Sequence, residues 1–121
     1  MEKTVLVDGQ EVVFKATAAT PRVYRQAFGR DIYKDLKDVS VAVGDGSDVD
    51  SNLSPMVLST FENIAYCMAM QALGEHIKRE SVEDDMADWL DHFSTFSIYK
   101  IVPQLMDLWK ATSETSVEPK N

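Results

Sequence analysis

The sequence predicts a mainly helical α+β fold, in which an N-terminal β-hairpin packs on a bundle of about four to five helices. Two segments of alternating polarity flank an Asp8-Gly9 pair, which is a strong signal for a tight hairpin turn. After residue 20, apolar residues recur at helical spacing in several stretches. A chain of 121 residues can bury one core without disulfides. We therefore expect one domain over residues 1–112, a mobile acidic loop over 42–53 and a disordered tail over 113–121.

The predicted hairpin covers residues 3–17, and its two-residue turn pairs Val5 with Val12 and Val7 with Gln10. One face then carries the apolar residues Val5, Val7, Val12 and Phe14. Because a lone hairpin is only marginally stable in water, this face must lie on helices. The opposite face carries Thr4, Leu6, Glu11 and Val13. An exposed hairpin edge is also a candidate for self-association, although such edges are usually covered.

The first two helices are predicted from their boundary residues. Thr20 can cap a helix with its hydroxyl, and Pro21 suits the first helical position because its missing N–H costs nothing there. Gly29 can take the left-handed conformation that ends a helix. Ile32 and Leu36, four residues apart, give a second short helix an apolar edge.

Residues 42–53 are rich in Gly, Asp, Ser and Asn, which is typical of a loop. Their aspartates resemble a calcium loop. Counted from Asp45 or Asp48, however, the Glu that an EF-hand requires at its last position falls on Met56 or Ser59. A solvated acidic segment is the better interpretation.

The third helix is expected to be the most buried, because it is apolar around much of its circumference. Ser54 is its predicted cap, Pro55 its first residue and Gly74 its predicted end.

Two more helices are predicted in the last third of the chain. Ser81 begins a segment resembling a capping box, followed by acidic residues where the helix dipole favours them. The last amphipathic helix follows Ser97. Pro103 either kinks it or marks the start of its regular part.

The formal net charge of −8 argues against DNA, RNA and anionic membranes as partners, since those require clustered Lys and Arg. Cys67 is the only cysteine, so no intramolecular disulfide can form. The sequence also lacks a secretory segment and a run of about 20 apolar residues. These features predict a cytosolic protein.

Residues suited to catalysis are sparse, and we predict no enzyme activity, no cofactor and no metal site. The two histidines, His76 and His92, lie on different predicted elements. Asp84, Asp88 and His92 share a predicted helical face that could hold a divalent ion, but a closed site requires further ligands. A solvated face is the better interpretation.

Aromatic and methionine side chains are numerous enough to supply a binding surface as well as a core. Those at the edges of their helical stripes or near element ends are the candidate partner-binding residues. They are Tyr24, Phe28, Tyr33, Tyr99 and Trp109.

Three motifs in order resemble the tail assembly chaperones of long-tailed bacteriophages that infect Gram-positive hosts. They are the DG hairpin followed by TPRVYRQAFGRDIYKDL, the segment FENIAYCMAMQA, and the segment WLDHFSTFSIYKIVPQLMDLW. The resemblance implies a non-catalytic protein of the host cytoplasm that binds and solubilises the tape measure protein. It also implies help in recruiting tail tube subunits, and absence from the mature virion.

Family members are known for a longer product made by programmed frameshifting, and Pro119-Lys120-Asn121 can be encoded by a slippery heptamer. The resemblance therefore suggests a frameshifted longer form of the chain as a further partner. The alternative function is a small acidic helical adaptor or regulatory protein that binds a cellular protein.

Overall fold

The computed structural model describes residues 1–43, 55–94 and 97–115, with side chains described in 1–39, 55–94 and 97–112. Its elements confirm the mainly helical α+β fold. The described ranges hold a hairpin and five α-helices: β1 Glu2–Val7, β2 Gln10–Lys15, α1 Thr20–Phe28, α2 Ile32–Val43, α3 Pro55–Leu73, α4 Val82–Leu90 and α5 Ser97–Thr115. A 3₁₀ turn at Arg79–Ser81 precedes α4.

The hairpin has the predicted register, with Val5 opposite Val12 and Val7 opposite Gln10. Asp8 and Gly9 both have positive φ angles, 56° and 77°, as a type I′ turn requires. The inner face is buried against α3 and α5, with Phe14 fully buried. The outer face, which carries Thr4, Leu6, Glu11 and Val13, is exposed.

The carboxylate of Asp8 attaches the hairpin turn to the loop between α4 and α5. One of its oxygens accepts the backbone N–H of Ser94 at 2.5 Å, and the other accepts the Ser97 hydroxyl at 2.5 Å. Gln10 adds a bond from Nε2 to the carbonyl of His92 at 3.0 Å. The hydrogen bonds from Ser97 and then Ser94 lower the pKa of Asp8 below its ordinary value.

The predicted cap at Thr20 is wrong. Ala19 is the N-cap of α1, and Thr20 is the first helical residue. The buried Thr20 hydroxyl accepts the N–H of Thr17 at 2.9 Å and donates to Oε1 of Gln71 at 2.8 Å. The side-chain amide of Gln71 returns a bond to the Thr17 hydroxyl at 2.8 Å. Thr20 therefore connects the β2–α1 loop to α3.

Gly29 ends α1 as predicted, with φ 68° and its N–H bonded to the carbonyl of Arg25. The helix α2 then extends to Val43, two residues into the range expected to be a loop. Residues 44–54, with the rest of that expected loop and the predicted cap at Ser54, lie outside the described residues.

The helix α3 is the central helix, as predicted, and its buried residues include Phe61, Ile64 and Met68. Gly74 ends it at φ 72°. The N–H groups of Gly74 and Glu75 bond the carbonyls of Gln71 and Met70, which is the pattern of a Schellman motif.

We expect Gly29→Ala to lower the free energy of unfolding by about 1–2 kcal/mol, the cost of a left-handed residue with a Cβ. A methyl group there would also lie 2.2 Å from the guanidinium of Arg79. Gly74→Ala is the matched control, because Gly74 has a similar φ and nothing within 4 Å of an added Cβ. Urea unfolding should show a larger loss of unfolding free energy for Gly29→Ala than for Gly74→Ala. In an Arg79→Ala background, the loss caused by Gly29→Ala should fall to that of Gly74→Ala. Equal losses of unfolding free energy for Gly29→Ala and Gly74→Ala would mean that the added methyl group at residue 29 is not crowded by Arg79.

The last two helices differ from prediction in three details. The Ser81 hydroxyl makes no capping bond and instead donates to Asp85 at 2.9 Å. The helix α5 begins at Ser97 and continues through Pro103, so Pro103 does not mark its start. It reaches Thr115, so the first residues of the expected disordered tail are helical, whereas 116–121 lie outside the described residues.

Within the described ranges, no helix combines the length and the apolar character needed to cross a membrane.

Candidate partner-binding surface

A cavity of about 370 Å³ lies between α1, α3 and α4. Its apolar lining comes from two of these helices: Ala27 and Phe28 on α1, and Val82 and Met86 on α4. Ser59, Glu62 and Asn63 of α3 supply polar lining. Arg30, Arg79 and Glu83 add charge. The cavity therefore combines apolar walls with charged groups of both signs.

A second cavity of about 230 Å³ lies between α3, the end of α4 and the start of α5. The described residues that line it are Glu62, Leu90, Asp91, Phe93, Ser94, Ile98 and Tyr99. Glu62 lines both cavities, and α4 borders the first through Val82 and Met86 and the second through Leu90. We call the two cavities together the α4 trough. From Val82 to Leu90 it follows about 12 Å of helix.

A buried carboxylate fixes Arg30 beside the first cavity. Asp35, only 2% exposed, accepts two bonds of 2.8 Å from the guanidinium of Arg30 and one of 2.7 Å from the hydroxyl of Tyr24. Burial opposes ionisation of Asp35, but the bonds from Arg30 and Tyr24 outweigh it and hold its pKa below the ordinary value. Burial, and then the bond to Asp35, raises the pKa of Tyr24. The cluster links α1 to α2.

Tyr99 holds Glu62 in the second cavity. Its hydroxyl donates to one carboxylate oxygen of Glu62 at 2.6 Å. Burial, followed by this bond, raises the pKa of Tyr99 to about 12, so the hydroxyl stays protonated at neutral pH. Among the described residues, neither Glu62 nor Asp91 takes part in an ion pair.

The five candidate residues from the sequence fall into three groups. Phe28 lines the first cavity and Tyr99 the second. Tyr24 has no exposed surface and packs beneath Phe28, with ring centroids 4.9 Å apart. Its prediction as a surface contact is wrong, because its hydroxyl is used by Asp35. Tyr33 and Trp109 meet edge to face at 5.4 Å on a separate surface of α2 and α5, where Tyr33 is 59% exposed.

Sequence reasoning missed Glu62, which lines both cavities. The available signal was a polar strip on an otherwise apolar helix, where Ser59, Glu62 and Asn63 recur at a spacing of three and four residues. Such a strip indicates a side of a central helix that no neighbouring helix covers.

The predicted helical face of Asp84, Asp88 and His92 does not form. The helix α4 ends at Leu90, and His92 lies in the following turn with Nδ1 3.1 Å from the carbonyl of Trp89. In the part of the chain that the structure describes, no group of three or more His, Cys, Asp or Glu could hold a metal ion.

The thiol of Cys67 is fully buried in α3. Burial raises its pKa to about 12, so it stays protonated at neutral pH and lacks the thiolate that a nucleophile requires.

Comparisons of the chain with protein-family models, with curated proteins and with solved structures found no match.

Proposed function

We propose that the chain is a non-catalytic tail assembly chaperone that binds and solubilises the tape measure protein of a long-tailed bacteriophage. The resemblance of the three sequence motifs suggests the class of partner. The observation that supports a binding role is the α4 trough, an open surface bordered by α1, α3, α4 and the start of α5 that combines apolar side chains with charged groups. The proposal places the protein in the host cytoplasm and outside the mature virion.

The trough has dimensions that suit part of an amphipathic helix. Side chains at positions i, i+3 or i+4, and i+7 of such a helix lie on one face and span about 10 Å, close to the length of the trough. An unassembled tape measure protein would expose long apolar stripes of this kind, which aggregate unless a partner covers them. The net charge of −8 would help to keep the complex in solution.

The Tyr33–Trp109 pair offers a second place for contact with a partner. The remaining parts of the proposal rest on the resemblance alone. They are recruitment of tail tube subunits, interaction with a frameshifted longer form of the chain, and self-association. No observation in the structure favours the adaptor alternative over these.

The test is co-expression with the tape measure protein, a long helical protein that this proposal expects to be encoded next to this gene. We expect the wild-type chain to move that protein from the pellet to the supernatant. Met86→Arg, which places a charge in the apolar wall, should weaken binding by about 2 kcal/mol, or roughly thirty-fold. Ala87→Arg is the matched control, since Ala87 is exposed on the same helix and lines neither cavity.

Circular dichroism of both variants would show whether each keeps its helical content. If the wild-type chain leaves the neighbouring protein insoluble, the proposed function is wrong. If Met86→Arg is folded and solubilises as well as Ala87→Arg, the α4 trough is not the binding surface.

A further inference from the structure

We propose that the second cavity of the α4 trough accepts a lysine or arginine side chain from the bound helix, and that this contact selects the partner. This inference deepens the proposed function and rests on it for the identity of the natural partner.

The carboxylates in the described lining of the second cavity are Glu62 and Asp91, and no cationic side chain is among those described lining residues. Neither carboxylate is in an ion pair among the described residues. An apolar occupant would remove both from water without compensation, which is costly, and an anionic occupant would be repelled. A cation is the occupant that these charges favour.

The walls of the second cavity suit the remainder of a basic side chain. Leu90 and Ile98 offer apolar surface to the methylene stem, while the charged head reaches the carboxylates. Phe93 and Tyr99 add aromatic rings that attract a cation over their faces. The volume of about 230 Å³ is below the roughly 300 Å³ at which small-molecule pockets begin, so it suits one side chain better than a whole ligand.

Glu62 is held in position for this contact. The hydroxyl of Tyr99 occupies one carboxylate oxygen at 2.6 Å, and the described residues supply no ion-pair partner to Glu62. A cationic head group would therefore meet an oriented acceptor and require little rearrangement of the protein.

The first cavity has a different character, which gives the partner helix a direction. Arg30 and Arg79 balance the carboxylates of Glu62 and Glu83 there, so its lining gives a cation no net attraction. Phe28 and Met86 supply apolar surface for an anchor side chain. Met86 and Leu90 are one helical turn apart along α4. The partner should therefore carry its basic residue one to two turns from an apolar anchor.

The experiment uses the full chain and two kinds of probe. The first is the neighbouring long helical protein, and the second is a set of amphipathic helical peptides with one leucine stripe. Members of the peptide set carry lysine, norleucine or glutamate at one position beside the stripe, and the position is moved along the peptide. Binding is measured by fluorescence anisotropy at low and high salt.

The key variant is the double substitution Glu62→Gln with Asp91→Asn, which removes two charges and leaves an acceptor for Tyr99. Its matched control is Glu75→Gln with Asp88→Asn, which removes the same charge from exposed positions that line neither cavity. We expect the wild type to bind the best lysine peptide at least about ten-fold more tightly than its norleucine counterpart. The key variant should lose this preference, and the control should keep it.

The outcomes separate this inference from the proposed function. If the neighbouring protein is solubilised equally by the key variant and its control, and lysine gives no advantage in any peptide, the inference is wrong and the chaperone proposal stands. If the neighbouring protein stays insoluble while the lysine preference is present and depends on Glu62 and Asp91, the chaperone proposal fails and the cationic site stands. Equal or tighter binding of norleucine peptides identifies the cavity as an apolar pocket.

Discussion

Phe14→Ala is expected to lower the free energy of unfolding by about 3–5 kcal/mol, because it removes a fully buried ring between the hairpin and the helices. Small domains have only about 5–15 kcal/mol in total, so the variant should be close to unfolding at room temperature. Val13→Ala is the matched control from the same strand. Val13 lies on the outer face and is 39% exposed, and its truncation should cost less than about 1 kcal/mol.

Urea unfolding followed by circular dichroism measures both variants. Similar losses for the two would mean that the hairpin is not docked through the face that carries Phe14. The hairpin has little stability of its own, so its docking should be lost together with the cooperative unfolding of the helices.

Asp35→Ala is expected to cost about 2–4 kcal/mol, since it leaves the buried Tyr24 hydroxyl and the Arg30 guanidinium without their acceptor. The Arg30 side chain is 48% exposed and can regain water, which keeps the loss below that of a fully buried ion pair. Asp38→Ala is the control. Asp38 bonds Lys34 at 3.2 Å in an exposed pair on the same helix, and its removal should cost about 0.5 kcal/mol or less.

Acid unfolding gives a second measurement for the same carboxylate. The lowered pKa of Asp35 means that its stabilising effect is complete above the ordinary aspartate pKa of about 4 and is lost as the pH falls through the lower folded value. The unfolding free energy of the wild type should therefore decrease below about pH 4, and Asp35→Asn should show a shallower decrease. An identical acid profile for Asp35→Asn would show that this carboxylate does not carry the effect.

The parts of the fold that were predicted depend on short-range chemistry. Two positive φ angles at Asp8 and Gly9 determine the hairpin register without reference to the rest of the chain. Gly29 and Gly74 end their helices for a similarly local reason. The all-round apolar character of α3 was enough to place it at the centre.

The parts that were not predicted depend on partners that are distant in sequence or specific to the packing. A threonine at a helix start can bond its own backbone or another element, and Thr20 bonds Gln71, 51 residues away. From the sequence alone, Asp35 cannot be distinguished from an ordinary solvated aspartate on a helix. Its burial follows from the packing of α2 beside α1, which brings Tyr24 and Arg30 within hydrogen-bond distance of it.

In the candidate site, too, some features could be predicted from local sequence, whereas others depend on how distant elements pack. Two of the five candidate residues, Phe28 and Tyr99, line the α4 trough. Tyr24 was selected by the same criterion as Tyr99, a position at a stripe edge or near an element end, but it is fully buried. The trough itself arises from the way α4 packs beside α3, and no single segment encodes that spacing. Glu62 was therefore visible only as a break in an apolar pattern.

The bond network of Asp8 has a consequence for synthesis on the ribosome. The serines that hold the hairpin turn lie 86 and 89 residues further along the chain. During translation α3 is made first and offers a docking surface to β2, but the surface that α5 offers to β1 is missing until α5 has been made. Part of the apolar face of the hairpin therefore stays open to proteases and cellular chaperones during that interval, and a pause in translation before α5 would prolong this exposure.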